Sequence, residues 1–252
     1  MDELLIEYEP RLVEEAVLRA LSGRAEEAEF RAERDPLYEI ADPEEREARF
    51  RAFHAAWFRR LGLGLGIDEA LGEQPSLAAN VARCLIAYTP WAREEAAELF
   101  VPSRNAAAAP PEPVVLIRLR PETLTLSDRL RALLRHELLH LADMLDPGFG
   151  YEPRLPPSGA GRAREQLVRD RYRVLWDAYI DGRLARLGGA PAGIRAERLS
   201  EFRQAFPMLG EGAEDAFEHF FEAASCCHAE LMAFALDPGP TSTDRVHPGQ
   251  IV

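Results

Sequence analysis

The sequence predicts a mainly helical α+β fold. Apolar residues recur at helical spacing through most of the chain, one short segment stands out as a strand, and a long apolar helix follows that strand directly.

Taken in order, residues 10–33 read as a helix, with Leu12, Val13, Ala16, Val17, Ala20 and Leu21 on one face. A second helix runs from Pro43 to Leu61. Asp42 suits its N-cap, Pro43 its first position, and Gly62 its end. Gly62 to Gly72 reads as a turn; no Lys-Ser/Thr follows and no βαβ pattern surrounds it, so a phosphate loop is rejected. Residues 77–89 read as a helix, and 92–99 as more helix or a short strand. Asn105 to Pro113 is an Ala/Pro loop. Val114 to Leu119 is the clearest strand, β-branched and bounded by prolines. Ser127 is placed as the cap of a helix reaching about Leu145. A Pro/Gly loop covers 146–161, and a long helix covers 163–187, stopping at Gly188-Gly189. Residues 197–206 read as helical, 213–236 as a last helix, and the end from Asp237 as a loose tail.

Composition sets broad limits. Over 252 residues, 47% hydrophobic and 29% charged content is that of a soluble globular chain. A formal net charge of -13 repels phosphate backbones, which argues against a nucleic-acid partner. Every Lys/Arg position is Arg, which with abundant Ala, Pro and Glu suggests a GC-rich, bacterial coding sequence. Cys84, Cys226 and Cys227 make no disulfide framework. The acidic start lacks the pattern of a signal peptide, and no apolar run suits a membrane span, so the expected location is the cytoplasm.

The chemistry-bearing motif is His136-Glu137-Leu138-Leu139-His140. Two histidines four apart lie on one helix face, one turn apart, and can share a metal ion. Glu137 projects about 100° away from His136, within reach of a water on that ion but not a ligand itself. The apolar flanks suit a buried helix that carries ligands into a core.

On these residues the sequence resembles the zincin metallopeptidases, specifically their gluzincin-like branch. The strand at 114–119, the motif helix and the helix at 163–187 carry the resemblance, under half of the chain. It implies a zincin-like core over 76–240: a small sheet, the motif helix and a following ligand helix. An N-terminal helical extension (1–75) would precede it and a flexible tail (241–252) would follow. In that family an edge strand before the motif helix pairs with extended substrate, and Val114 to Leu119 sits at that place. The third ligand comes from a later helix, with a second-shell acid or amide four residues on. Asp177 falls on the ligand position and Asp181 on its partner. The family has Glu where this chain has Asp, one methylene shorter, so Asp181 stays open as the alternative ligand. Both are carboxylates among apolar neighbours, which calls for a cation or a metal. Asp143 can hold a ligand histidine through its free ring nitrogen or act near the helix end. Tyr151, Tyr172 and His228 are candidates to stabilise charge at a carbonyl oxygen. His219 and His228, nine apart, make a poor second metal pair, and the cysteines read as core packing.

These readings lead to an expectation: Zn2+ held by His136, His140 and Asp177 or Asp181, Glu137 as general base, and a peptide or protein substrate. The alternative is a catalytically inactive zinc-binding regulatory or protein-interaction domain. Oligomeric state is not legible.

Overall fold

The computed structural model describes residues 4–101, 113–154 and 161–239. Most of the expected 105–113 loop, residues 155–160 of the later loop, the tail from 240 and His247 lie outside them. The fold is mainly α-helical with one four-stranded sheet. It forms two compact units, Met1–Leu141 and Ala142–Val252.

The first unit contains the sheet. Its strands are β1 (Leu5–Tyr8), β2 (Arg83–Tyr88), β3 (Ala96–Phe100) and β4 (Val114–Leu119), in the order β1-β2-β4-β3. β1, β2 and β4 are parallel, and β3 runs antiparallel to β4. The helices are α1 (Pro10–Leu21), α2 (Glu27–Arg34), α3 (Pro43–Arg60), α4 (Leu65–Gly72), α5 (Pro75–Asn80) and α6 (Pro121–Leu124). β1, inside the stretch expected to be a helical extension, pairs with β2 from Leu5↔Arg83 to Tyr8↔Ile86.

Several boundaries differ from expectation. The helix expected over 10–33 breaks after Leu21, where Gly23 takes a φ of 74°, and resumes at Glu27. α4 occupies the expected Gly-rich turn, because burying Ile67, Ala70 and Leu71 offsets the helix cost of its glycines. Residues 77–89 end a short helix and then form β2. Cys84 and Ile86 are fully buried within that strand, and pairing on both sides outweighs local helix preference. Asp42 does cap α3, accepting from the Glu44 and Glu45 amides. β4 occupies the expected strand but is internal, with β2 on one side and β3 on the other. The edge position expected of Val114 to Leu119 therefore belongs to β3.

α7 (Ser127–Leu145) crosses the division between units without interruption. Its first carbonyl acceptor is Leu126, so Ser127 is the first helical residue and not the cap. The second unit continues with α8 (Arg162–Arg186), α9 (Ile194–Ala205), α10 (Ala213–Phe221) and α11 (His228–Leu236). The single helix expected over 213–236 is thus two. The Cys227 amide donates to the Glu230 carboxylate and starts α11 afresh. Cys226 and Cys227 are half-buried in the connection rather than packed in a helix. Gly188, at φ 71°, follows α8, and the Gly189 amide closes back on the Leu184 carbonyl at 2.8 Å. Phe202, Phe206, Phe217, Phe220 and Phe234 fill this unit's core.

Candidate metal centre

The candidate ligands lie on α7 and α8, and β3 meets α7 through Glu137. β3 is pegged at its start by Glu95, whose side chain is 2% exposed. That carboxylate accepts from the Arg120 amide (3.0 Å) and guanidinium (3.1 Å), the Thr123 hydroxyl and Arg129 (3.2 Å). The head of β3 is thereby joined to the end of β4, to α6 and to the first turn of α7. Burial alone would raise the Glu95 pKa. The hydrogen bonds from Thr123 and Arg120, with the Arg120 charge, overcome this and hold it below the ordinary value.

α7 buries Leu130, Leu134, Leu138 and Leu141, a stripe at helical spacing that fixes the rotation of the helix. His136, Glu137 and His140 are then half-buried on the remaining surface. The Nε2 atoms of His136 and His140 are 3.2 Å apart. Two nitrogens each about 2.0–2.1 Å from one tetrahedral ion would stand about 3.3 Å apart, so the pair fits a shared zinc. Glu137 turns elsewhere: its Oε2 accepts the Ala97 amide of β3 at 3.1 Å.

The last turn of α7 is fastened to α8. Asp143, 5% exposed, accepts from Trp176 Nε1 at 3.0 Å and from Arg183 at 2.6 Å. Among the described residues these are its partners, so the carboxylate that was a candidate to hold a ligand histidine is committed to α8 instead. The reason is geometric: Trp176 and Arg183 lie two turns apart on one face of α8 and enclose the acid. Asp177 is next in sequence to Trp176, on the helix that this clamp fastens. His136, His140 and Asp177 each offer a ligand atom, and all three atoms lie within 4.8 Å of one another.

Asp181, one turn further, is not in that group. Its carboxylate takes Arg198 of α9 at 2.6 Å, with both side chains largely buried. Burial works against the Arg198 charge, but the Asp181 hydrogen bond and charge, with Glu201 and Asp177, hold its pKa above the ordinary value. Asp181 thus serves a cation from the protein, and among the described residues it stands outside the ligand group.

Tyr151, Tyr172 and His228 come together with Trp176 around a cavity of about 240 Å³ in the second unit. The Tyr172 hydroxyl and His228 Nδ1 are 2.8 Å apart, and Tyr151 stacks on Trp176 at 5.4 Å. Burial raises both phenols and lowers His228. His228 stands outside the ligand group. Its backbone amide donates to the Phe149 carbonyl at 2.8 Å, fixing the loop after α7.

Sequence reasoning missed Glu95, Trp176 and Arg198. Trp176 and Arg183 flank the ligand stretch at helical spacing, a signal that was present. Nothing local marks Glu95, whose partners lie at 120–129. The chain matches no family model, no curated protein and no solved structure.

Proposed function

We propose that this chain is a zinc-dependent metallopeptidase with a zincin-like core, in which β3, α7 and α8 build the site. The convergence of two imidazole nitrogens and one carboxylate from separate helices carries the reading. A nitrogen, nitrogen, oxygen set with a remaining open position is a common catalytic zinc arrangement. When bound, the ion would supply Lewis acidity and draw the pKa of water in the open position towards about 7.

The protein's own part is proton transfer and positioning. Glu137 takes a proton from the attacking water as the new C–O bond forms. It returns that proton to the amine nitrogen as the C–N bond breaks. The Ala97 amide holds this carboxylate beside the sheet edge. Because Ala97 N–H turns away from β4, alternation along an antiparallel ladder turns Leu99 the same way. β3 therefore offers backbone donors and acceptors to an extended peptide beside Glu137. Asp143 joins the last turn of α7 to α8, the helix that carries Asp177.

Glu137→Gln tests the assignment. The variant is expected to retain one zinc per chain by elemental analysis and to lose about 10²–10⁴-fold in turnover of a peptide library. Parent-like turnover would remove Glu137 from its role. A parent protein with no stoichiometric metal would remove the site itself.

A further inference from the structure

A cavity of about 710 Å³ opens in the first unit among β1, α1, α3 and α4. Val13, Ala55, Phe58 and Leu65 give it apolar walls, and Arg51, Arg59 and Asp68 also line it. That volume lies within the range of small-molecule and peptide side-chain sites.

β1 supplies its most specific feature. It is an edge strand. The Leu5 amide donates to Ala82 O and the Glu9 amide to Ile86 O. In a parallel ladder Leu5, Glu7 and Glu9 therefore turn their peptide groups towards β2, and Ile6 and Tyr8 turn theirs to the open edge. Ile6 and Tyr8 are also the β1 residues that line the cavity. Unpaired peptide groups two residues apart beside an apolar pocket are what an added strand recognises. Among the described residues the Tyr8 hydroxyl has no hydrogen-bond partner either.

Charge selects the occupant. Two guanidinium groups against one carboxylate leave the lining net positive, in a chain of net charge -13. Among the described residues Arg59 has no ion pair, and Arg51 has only a 3.9 Å contact with Glu47, both groups more than half exposed. Such a contact competes weakly with a new anion.

We propose that this cavity docks an extended acidic segment of a partner protein, which adds to β1 as a strand and places an apolar side chain against Phe58 and Leu65. Carboxylates of the segment meet Arg51 and Arg59. β1 and β3 are opposite edges of one sheet, so docking here leaves β3 open. The proposal does not depend on the metal centre.

Fluorescence anisotropy of a labelled, capped peptide of alternating Glu and Leu, titrated with the full chain, is the test. Saturable binding is expected, unchanged by chelator. Ala55→Trp fills the cavity and should weaken binding at least about tenfold. Arg59→Glu, an exposed change, should shift preference to the alternating Lys and Leu peptide. Equal affinity of the parent for both peptides, parent-like binding by Ala55→Trp, or no saturable binding would overturn the proposal. So would displacement of the peptide by decanoate at equal affinity, which assigns the cavity to a small amphiphile. Self-association abolished by Ala55→Trp, without peptide binding, would assign the edge to a second copy.

Discussion

At Gly182 the width of one methyl group decides how α8 packs. A Cβ built there would stand 1.8 Å from the Phe221 carbonyl oxygen at the end of α10. That oxygen cannot give way cheaply, because it is backbone and also accepts Arg186 at 2.7 Å. Gly182→Ala must separate the two helices, at a cost on the order of 1–3 kcal/mol from overpacking. Thermal denaturation would report it as a fall in Tm, and a parent-like Tm would refute the close approach. A glycine inside a helix is a legible sign of such packing. Its partner was not legible, since Phe221 lies 39 residues away in a segment that read as the middle of one continuous helix. Asp177 and Asp181 show the same division. Both are carboxylates on one face of a helix, and local sequence treats them nearly alike. What separates them is Arg198, contributed by α9, which neutralises Asp181.

β3 is the element on which both the sheet edge and Glu137 depend. Glu95 at its head has a folded pKa held below the ordinary 4.5. A depressed folded pKa adds stability that is present above the unfolded value, near 4.5, and is lost as pH falls through the folded one. Glu95→Gln should therefore flatten the acid limb of a stability–pH curve and cost about 1–3 kcal/mol at pH 7. Chemical denaturation across that range checks it; an unchanged acid limb would show that the anchor does not act through its charge. Further along the strand, Ala97→Pro removes the one amide that holds Glu137 among the described residues. The ladder to β4 is spared, because that amide faces away from it, and proline is tolerated at such edge positions. If Glu137 is the general base proposed above, the expected result is a retained fold with turnover lowered about tenfold or more, as its carboxylate loses its fixed position. Full activity in a folded variant would dissociate the Ala97 contact from the chemistry. β4 and α7 were legible because each carries its own pattern: a β-branched run bounded by prolines in one, an apolar stripe beside His-Glu-x-x-His in the other. β2 was not, because Arg-Cys-Leu-Ile-Ala-Tyr suits a buried helix as well as a strand until β1 and β4 pair with it.

Across the chain, the question is whether a metal would hold the fold or only act within it. The first unit buries Leu12, Ile67, Cys84 and Leu138 completely, and the second buries Leu175, Phe202, Phe217 and Leu231 likewise. Burying each such leucine, isoleucine or phenylalanine contributes about 1.5–3 kcal/mol, and none of these side chains is a ligand. A zinc finger lacks a core of this kind and unfolds without its ion. Chelation is therefore expected to leave the far-ultraviolet circular dichroism unchanged and to abolish turnover, with zinc restoring it. Tm should still fall, because an ion bound only by the folded chain stabilises it by about 2.7 kcal/mol at a hundred times its Kd. Loss of the helical signal on chelation would instead make the ion a structural staple. A regulatory or interaction role would then account for the His136, His140 and Asp177 group better than hydrolysis does.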